Sequence, residues 1–305
     1  MKILVTGAWQ CTDAQLNELR NLGNEIVFMQ NERDALPVIP TEIEGVICNG
    51  LFLYHSIEQF SNLRYIQLTS AGFDRVPMDY VESHNIEIHN AKGVYSIPMA
   101  EFAVCGVLQL YKQSKFFAKN QDKHKWEKHR GLIELYGKTV CIVGCGNVGT
   151  ECAKRFNAFG CNTYGVDLYP RVDREYLEIY SLDMLDKALE TADIVVLTLP
   201  LTEKTKHLFD KERFSTMKKG ALLVNIARGG VVDTSTLVEA LNNRLGGAVL
   251  DVFEEEPLNE NSPLWDLENV ILTPHNSFVG ECNNNRLRRT IIDNIKGEFY
   301  DKRNP

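Results

Sequence analysis

The sequence predicts an α/β protein with two lobes, each built on a doubly wound parallel sheet. Short apolar runs alternate with helical patterns along the whole chain, which is typical of a parallel sheet with helices on both faces. The runs fall into two series, and only the second contains a glycine-rich turn. The length of 305 residues agrees with two lobes, since a domain has about 150 residues as a prior.

The first series predicts five strands and a helix. The strands are expected at residues 3–5, 25–29, 45–48, 65–68 and 86–89. Between the first two, Thr12 and Gln15 have the spacing of a capping box, and Gly23 can take the left-handed conformation that often ends a helix. Leu16 and Leu19 share one face of this helix, which is therefore predicted to pack on the sheet.

The region between the two series predicts a long helix. Pro98 suits the first turn of a helix that runs to about Phe117. The polar stretch 119–130 that follows is interpreted as a hinge.

The second series predicts six strands and a return of the chain to the first lobe. The strands are expected at residues 139–143, 163–166, 194–199, 222–226, 248–252 and 270–272. The apolar stripe of a C-terminal amphipathic helix is formed by Leu287, Ile291, Ile295 and Phe299. This helix is expected to pack on the first lobe. The predicted domains are residues 1–96 with 283–305, and residues 97–282.

Charge and cysteine content exclude several classes of protein. The 33 Lys and Arg residues against 41 Asp and Glu give a net charge of −8, which disfavours binding to nucleic acid or to anionic lipid. No apolar run approaches the length of about 18 residues that spans a bilayer, so no membrane association is expected. The eight cysteines have no regular spacing and the chain lacks a signal-peptide pattern, which favours a reducing cytoplasm.

Four of the cysteines lie near the glycine-rich turn, at Cys141, Cys145, Cys152 and Cys161. None of them forms the Cys-x-x-Cys pair of a zinc site. Cys141 and Cys152 occupy positions that the strand and the helix should bury. No metal site is predicted, and these cysteines are interpreted as small core residues.

The glycine-rich turn has the pattern Gly-x-Gly-x-x-Gly, directly after an apolar strand and directly before a helix. Gly144 permits the tight turn, Gly146 lets the backbone approach a pyrophosphate, and Gly149 lets helix and sheet pack closely. Asn147 and Val148 belong to the start of the helix, where free amides and the helix dipole favour an anion. The segment is therefore predicted to bind a dinucleotide.

Asp167 ends the next predicted strand, at the spacing of about 20 residues where dinucleotide-binding proteins have a carboxylate for the ribose hydroxyls. Such a carboxylate repels a 2′-phosphate, so NAD is predicted as the cofactor in preference to NADP. Arg171 follows closely and leaves open the alternative of a contact with a 2′-phosphate.

Three further segments place ionisable residues at the carboxyl ends of predicted strands, where ligands bind in open α/β sheets. They are Ala-Arg-Gly at 227–229, Asp-Val-Phe-Glu-Glu-Glu-Pro at 251–257 and Pro-His at 274–275. Together with the glycine-rich turn, and in the same order, these motifs resemble those of the D-isomer-specific 2-hydroxyacid dehydrogenases. The resemblance covers nearly the whole chain.

The resemblance implies a fold and a set of roles. The first lobe would be a flavodoxin-like substrate domain and the second a Rossmann NAD domain, with the active site in the cleft between them. Arg228 would hold the substrate carboxylate and keto oxygen, for which a planar guanidinium is suited. His275, paired with Glu256, would be the general acid and base as hydride moves between nicotinamide and substrate. The cofactor site would be completed by Pro200, Ala227 and Asp251.

Simpler interpretations of the same residues stay open at this point. Taken singly, Arg228 could cap a strand end and His275 could be an ordinary half-buried histidine. The three glutamates could be a solvated acidic run. Glu256 is chosen among them because it directly precedes Pro257, as the matching family residue does, while Glu254 and Glu255 are expected to face solvent.

The loops of the first lobe bear on the substrate. The loop around Ala71 and Gly72 resembles the family loop whose amides receive the substrate carboxylate, although a plain strand-to-helix turn fits as well. Phosphoglycerate enzymes tend to have an arginine in the loop that begins at Leu51. Its absence here favours an unphosphorylated substrate and an apolar pocket wall that includes Leu51, unless Arg75 or Lys92 supplies the charge.

The predicted function is the NAD-dependent interconversion of a small 2-ketoacid and its D-2-hydroxyacid. The alternative is a dinucleotide-sensing binding module without turnover, because the C-terminal-binding transcriptional corepressors resemble the same fold and motifs. The resemblance also implies a homodimer formed through the cofactor lobe, with the segment 116–135 around Trp126 as an interlocking arm.

Overall fold

The protein is described here by a computed structural model that covers residues 1–299, with side chains to residue 297. The chain forms two compact units. The first unit contains residues 1–95 and the segment from 280 onward, and the second contains residues 96–279. The predicted domain boundaries lie within three residues of these divisions.

The first unit begins with five parallel strands and two helices. The strands are β1 (Lys2–Thr6), β2 (Glu25–Met29), β3 (Gly45–Cys48), β4 (Tyr65–Leu68) and β5 (Glu87–His89), and the helices are α1 (Asp13–Asn21) and α2 (Met78–Ser83). The sheet order is β2-β1-β3-β4-β5. Because the order reverses between β1 and β3, the sheet is doubly wound, with a topological switch point at the carboxyl ends of those strands.

The capping box predicted for α1 is confirmed. The Thr12 side chain accepts a hydrogen bond from the Gln15 amide at 3.3 Å, and the Gln15 side chain accepts one from the Thr12 amide at 2.9 Å. Leu16 and Leu19 are buried against the sheet, so the predicted apolar face is confirmed as well.

The single helix predicted from Pro98 to Phe117 is two helices, α3 (Ser96–Tyr111) and α4 (Ser114–Asp122). They are separated at Gln113, whose φ of 56° is left-handed and cannot continue an α-helix. The hinge predicted at 119–130 is wrong, because this stretch lies inside the second unit and the chain passes between units at residue 95.

The second unit has a seven-stranded sheet. Its strands are β6 (Thr139–Val143), β7 (Asn162–Asp167), β8 (Ile179–Ser181), β9 (Ile194–Leu197), β10 (Leu222–Asn225), β11 (Gly247–Leu250) and β12 (Val270–Leu272). The helices that follow α4 are α5 (Asn147–Ala158), α6 (Leu185–Thr191), α7 (Lys211–Thr216) and α8 (Thr234–Asn243). The strand order is β12-β11-β10-β9-β6-β7-β8, and all pairs are parallel.

This order is the Rossmann arrangement with one added strand, and it reverses between β6 and β9. The predicted α/β class with two doubly wound parallel sheets is therefore confirmed. Apolar side chains fill both faces of the second sheet. β9 and β11 end two residues earlier than predicted, and β10 ends one residue earlier. The residues that follow these strands therefore belong to loops at the carboxyl edge of the sheet.

The last helix, α9 (Asn283–Phe299), returns to the first unit. Leu287, Ile291 and Ile295 are buried in one cluster with Ile3 and Trp9, as the apolar stripe predicted. The side chain of Phe299, the fourth residue of that stripe, lies outside the described part of the chain. No helix within residues 1–299 is both long and apolar enough to cross a bilayer.

Candidate active site

The glycine-rich turn lies between β6 and α5 and is shaped by two close approaches of backbone to backbone. Gly144 has a φ of +100°, and a Cβ added there would lie 2.7 Å from the Leu199 nitrogen. A Cβ at Gly149 would lie 2.1 Å from the Gly144 carbonyl oxygen. A side chain at either position would therefore displace the turn from the sheet.

The middle glycine has a different surrounding. A Cβ at Gly146 would meet no heavy atom within 4 Å, so the backbone is open to an approaching ligand. Asn147 and Val148 are the first two residues of α5, and the amides of a first helical turn have no intrahelical acceptor. The turn thus offers donors and open space at a helix N-terminus, which fits a pyrophosphate.

Asp167 lies beside this turn, at the end of β7. Its Oδ2 accepts a hydrogen bond from the Cys145 amide at 2.7 Å, and its Oδ1 accepts one from the Tyr169 amide at 3.0 Å. Each carboxylate oxygen can accept more than one hydrogen bond, so these contacts still allow a ribose hydroxyl. The Arg171 guanidinium donates to the Cys145 carbonyl, which holds it against the same turn.

The loop after β9 closes the other side of the glycine-rich turn. Thr198 donates through Oγ1 to the Gly144 carbonyl at 2.5 Å. Pro200 follows as an exposed residue, and its carbonyl accepts a hydrogen bond from Thr205 Oγ1 at 2.8 Å. These residues fit a dinucleotide, because the turn, the helix start and the carboxylate lie together at one sheet edge.

Arg228 follows β10 in a turn that the buried Asn225 shapes. The Asn225 side chain accepts from the Ala227 amide and donates to the Arg228 carbonyl, both at 3.1 Å. The half-buried guanidinium of Arg228 donates to the Ala227 carbonyl at 2.8 Å. Asn225 thereby fixes the direction in which the chain leaves the sheet.

Gly229 brings this turn against the next loop. A Cβ at Gly229 would lie 1.8 Å from the Phe253 carbonyl carbon and 2.4 Å from the Glu254 nitrogen. Only a glycine permits this approach, so the Arg228 turn and the loop after β11 pack backbone to backbone.

Glu256 and His275 form the pair that the sequence predicts. The His275 Nδ1 lies 2.8 Å from Glu256 Oε2, and Glu256 Oε1 accepts from the Phe253 amide at 3.0 Å. The carboxylate is therefore bonded through both oxygens. Both side chains keep partial exposure, 43% for His275 and 36% for Glu256, so a substrate can reach the ring.

His275 has a left-handed φ of 51°, which costs a non-glycine residue about 1 kcal/mol. Asp251 holds this conformation. Its Oδ1 accepts from the Asn276 amide at 2.7 Å, and its Oδ2 accepts from the Ser277 amide at 2.9 Å. The Asp251 carbonyl accepts from the His275 amide at 2.7 Å.

Asp251 is 0% exposed, and Thr273 Oγ1 adds a third hydrogen bond to its carboxylate at 2.7 Å. The role that the structure displays for Asp251 is to position the His275 loop. The nicotinamide contact assigned to it stays a prediction.

One expectation from the sequence needs correction. Leu51 is 0% exposed and belongs to the apolar core of the first unit, so its side chain does not line a pocket. The loop folds inward there because the Glu32 carboxylate binds the Gly50 amide at 2.7 Å. Glu254 and Glu255 are both exposed, as predicted. The Glu254 carboxylate also binds His207 and the Thr234 amide, which the sequence did not indicate.

Ala71 and Gly72 lie on an exposed turn after β4. This turn is held through its carbonyl oxygens, because Asn90 Nδ2 donates to the Ala71 carbonyl at 2.7 Å and Ser70 Oγ donates to the Gly72 carbonyl at 3.1 Å. The anchoring hydrogen bonds use the carbonyl oxygens of the turn, and the side chains of Ala71 and Gly72 are small. A ligand can therefore approach the backbone amides.

The cysteines near the glycine-rich turn are core residues, as predicted. Burial raises the pKa of Cys141, Cys145 and Cys152 to about 12. Their thiols are therefore protonated at neutral pH and are poor metal ligands.

Sequence reasoning missed three residues that build the site: Asn225, Gly229 and Thr273. A signal existed for Gly229, since paired glycines directly after a strand end indicate close backbone approach. The hydrogen bonds of Asn225 and Thr273 depend on loops that only the folded sheet brings together, so their roles had no local signal.

Comparison with known proteins identifies the family. The profile described as D-isomer specific 2-hydroxyacid dehydrogenase, NAD binding domain, matches residues 104–277. A glyoxylate reductase of Thermofilum pendens is 39% identical, over 95% of this chain and 87% of that protein. A D-3-phosphoglycerate dehydrogenase of Methanocaldococcus jannaschii is 37% identical over 79% of this chain, but the match spans only 46% of that protein.

A solved structure agrees with the sequence matches. The D-isomer specific 2-hydroxyacid dehydrogenase of Xanthobacter autotrophicus, crystallised with NADPH and MES, is 26% identical, with a TM-score of 0.79 over 97% of this chain and 94% of that one. The relatives named here are dehydrogenases and reductases, and they give no support to the corepressor alternative. The chain therefore belongs to the D-isomer-specific 2-hydroxyacid dehydrogenases, NAD-dependent oxidoreductases, and contains their NAD-binding domain.

Proposed function

We propose that the protein interconverts a small 2-ketoacid and its D-2-hydroxyacid, with Arg228, Glu256 and His275 as the working side chains. The observation that carries this proposal is the 2.8 Å contact between His275 Nδ1 and Glu256 Oε2. It lies on loops at the carboxyl edge of the sheet that also holds the dinucleotide turn.

The pair leaves one ring atom for proton transfer. Because Glu256 takes Nδ1, Nε2 is the atom that gives a proton to the keto oxygen in reduction, or takes one from the hydroxyl in oxidation. Glu256 is bonded to the Phe253 amide through its other oxygen, which keeps the carboxylate from rotating away. When bound, the nicotinamide supplies or accepts the hydride at the substrate C2.

Arg228 is assigned to the substrate carboxylate and keto oxygen. A guanidinium makes paired, charge-assisted hydrogen bonds with such oxygens. For the first unit, we assign the amides of Ala71 and Gly72 to the carboxylate, since the turn is anchored through its carbonyls.

For the cofactor, we assign the pyrophosphate to Gly146 and the amides of Asn147 and Val148, and the adenosine ribose to Asp167. Pro200, Ala227 and Asp251 keep their assignment to the nicotinamide end on family resemblance. NAD is proposed in preference to NADP because the Asp167 carboxylate, at the end of β7, repels a 2′-phosphate.

The substrate is proposed to be unphosphorylated. The relative that aligns with 95% of this chain is named a glyoxylate reductase. The match to the phosphoglycerate dehydrogenase, by contrast, spans less than half of that protein. Glyoxylate and hydroxypyruvate are therefore the first candidates.

The test is oxidation of NADH and NADPH with glyoxylate, hydroxypyruvate, pyruvate, phenylpyruvate, 2-ketoisocaproate and 3-phosphohydroxypyruvate. We expect turnover with NADH and an unphosphorylated ketoacid. A preference for 3-phosphohydroxypyruvate would refute the proposed substrate class. Tight NADH binding without turnover of any ketoacid would refute the proposed reaction with these substrates.

We also propose a homodimer and a reducing, cytoplasmic setting. Trp126 in the segment after α4 is 96% exposed and Tyr136 is 77% exposed, which suits a surface covered by a second copy. All eight cysteines are free thiols, which supports a reducing compartment.

A further inference from the structure

The loop after β11 contains three consecutive glutamates whose side chains have different surroundings. Glu256 binds His275, and Glu255 is exposed. Glu254 reaches two other elements: its Oε1 lies 2.6 Å from His207 Nε2, and its Oε2 accepts from the Thr234 amide at 2.8 Å. Thr234 is the first residue of α8, so the carboxylate also lies at the favourable end of a helix dipole.

These contacts close a ring around the Arg228 turn. The His207 amide donates to the Gly230 carbonyl at 2.8 Å, while Gly229 packs against the peptide that joins Phe253 and Glu254. The segment 228–230 is thus held between His207 on one side and the Glu254 backbone on the other. The Glu254 carboxylate joins these two sides.

The same peptide contacts the proton-transfer pair. The Phe253 amide donates to Glu256 Oε1 at 3.0 Å, and Glu256 holds His275. A displacement of the Phe253–Glu254 peptide would therefore move both Gly229, next to Arg228, and Glu256.

The carboxylate of Glu254 is ionised in this setting. Burial opposes ionisation, but hydrogen bonds from Thr234 and His207 outweigh it and lower the pKa of Glu254 below its usual value. The neighbouring Asp233 carboxylate accepts hydrogen bonds from Ser235 Oγ and from the Thr236 amide. Glu254, by contrast, accepts the hydrogen bond of the Thr234 amide.

We propose that Glu254 is a positioning residue that fixes the Arg228 turn relative to the Glu256–His275 pair. The inference rests on the proposed ketoacid reaction for its kinetic consequence, whereas its structural part concerns the loop alone. Misplacement of reacting groups by about 1 Å can cost on the order of 100-fold in rate, so loss of this anchor should be visible in kcat.

Three variants test the proposal: Glu254→Ala, Glu254→Gln and the matched control Glu255→Ala, which removes the same charge from the neighbouring position. We expect Glu254→Ala to lower kcat for the ketoacid by about 10-fold to 100-fold, with the Kd for NADH unchanged. Glu254→Gln keeps an acceptor for the Thr234 amide and should restore most of the loss. Glu255→Ala should match the wild type.

Hydrogen exchange of the segment 251–258, followed by mass spectrometry, gives a readout that needs no turnover. We expect faster exchange in Glu254→Ala and wild-type exchange in Glu255→Ala. If the wild type turns over no ketoacid, the proposed function fails, while the exchange comparison still decides whether Glu254 holds the loop. Equal exchange in the two variants, or a lower Tm with unchanged kcat, would overturn the proposal.

Discussion

At the scale of single residues, His275 shows how the site combines strain with support. Its left-handed backbone is held by the buried Asp251, which binds the two amides that follow it. The ring is held separately, through the 2.8 Å contact of Nδ1 with Glu256. Backbone and ring are thus fixed by different carboxylates, and Nε2 is the ring atom that the proposed proton transfer would use.

Replacement of His275 by glutamine should remove the proton donor while keeping a polar side chain. We expect kcat for ketoacid reduction to fall by about 10² to 10⁴, with the Kd for NADH unchanged, as measured by steady-state kinetics and NADH fluorescence. His84→Gln, at an exposed histidine of the first unit, is the matched control. Unchanged turnover in His275→Gln would remove this residue from its assigned role.

Asp167 should decide between the two dinucleotides. Asp167→Asn keeps an acceptor for the Cys145 amide but removes the charge that repels a 2′-phosphate. We expect the ratio of kcat/KM for NADPH to that for NADH to rise by about tenfold, equivalent to ~1.4 kcal/mol. Asp183→Asn, which alters an exposed carboxylate after β8, should leave the ratio unchanged. A ratio that is equal in both variants would contradict the assignment.

The geometry of the glycine-rich turn and the contact between Glu256 and His275 could be predicted, because their signals are local or follow the motif order of the family. Gly144, Gly149 and the Glu256–His275 pair are examples. Leu51 could not be placed correctly, since its burial depends on Glu32, which lies on a different loop and binds the Gly50 amide. The residues around Leu51 in the sequence do not indicate the contact between Glu32 and the Gly50 amide.

At the scale of elements, α8 illustrates how a helix start serves the neighbouring loop. Asp233 caps the helix, with Oδ1 accepting from the Thr236 amide at 3.0 Å. The Thr234 amide is satisfied by Glu254. Two of the free amides of the first turn are therefore bound by carboxylates, one from the helix's own cap and one from the loop after β11.

Asp233→Ala should destabilise the protein by about 0.5 to 2 kcal/mol at neutral pH, because the helix loses its cap. Hydrogen bonds from Ser235 and Thr236 lower the pKa of Asp233 below its usual value. A lowered carboxyl pKa gives stability that is complete above the unfolded pKa of about 3.9 and is lost as the pH falls through the folded pKa. The difference in the free energy of unfolding between Asp233→Ala and wild type, measured by urea unfolding, should therefore be the same at pH 7 and pH 5. It should be smaller below about pH 3.5.

The control for this prediction is Asp233→Asn, since asparagine caps a helix about as well as aspartate. Its free energy of unfolding should be close to that of the wild type at neutral pH. A difference between Asp233→Ala and wild type that grows on acidification would contradict the assigned role.

Among the elements, the apolar strands could be predicted, including the three-residue edge strands β5 and β12, whereas the edge strand β8 could not. β8 (Ile179–Ser181) follows the charged stretch 171–178 and shows neither an apolar run nor a clear alternation. The separation of α3 from α4 depends on a single left-handed residue, Gln113. Glutamine has no marked preference for that conformation, so the sequence predicted one continuous helix.

At the scale of the whole molecule, the second unit exposes large apolar side chains to solvent. Trp126, Tyr136 and Phe159 are all at least 45% exposed. Burial of such side chains against a second copy would be favourable at about 25 cal/mol per Å². The helix α5, which ends beside Phe159, belongs to the same unit as the exposed segment after α4.

We therefore expect a homodimer with twice the 34.6 kDa mass of the chain, measured by light scattering at micromolar concentration. Trp126→Ser should weaken the dimer, and Ile39→Ser, at an exposed apolar residue of the first unit, should not. A monomer mass for the wild type would refute the prediction.

The return of α9 to the first unit has a consequence for synthesis on the ribosome. The core of the first unit includes Leu287, Ile291 and Ile295 together with Ile3 and Trp9, whereas the second unit is one continuous stretch of chain. At a rate of about 5–20 residues per second, roughly 10 to 40 s separate completion of residue 95 from arrival of α9. During that interval Trp9 has no partner from α9. The second unit can fold during that interval, whereas the part of the first unit's core that includes Trp9 is completed only when α9 has been made.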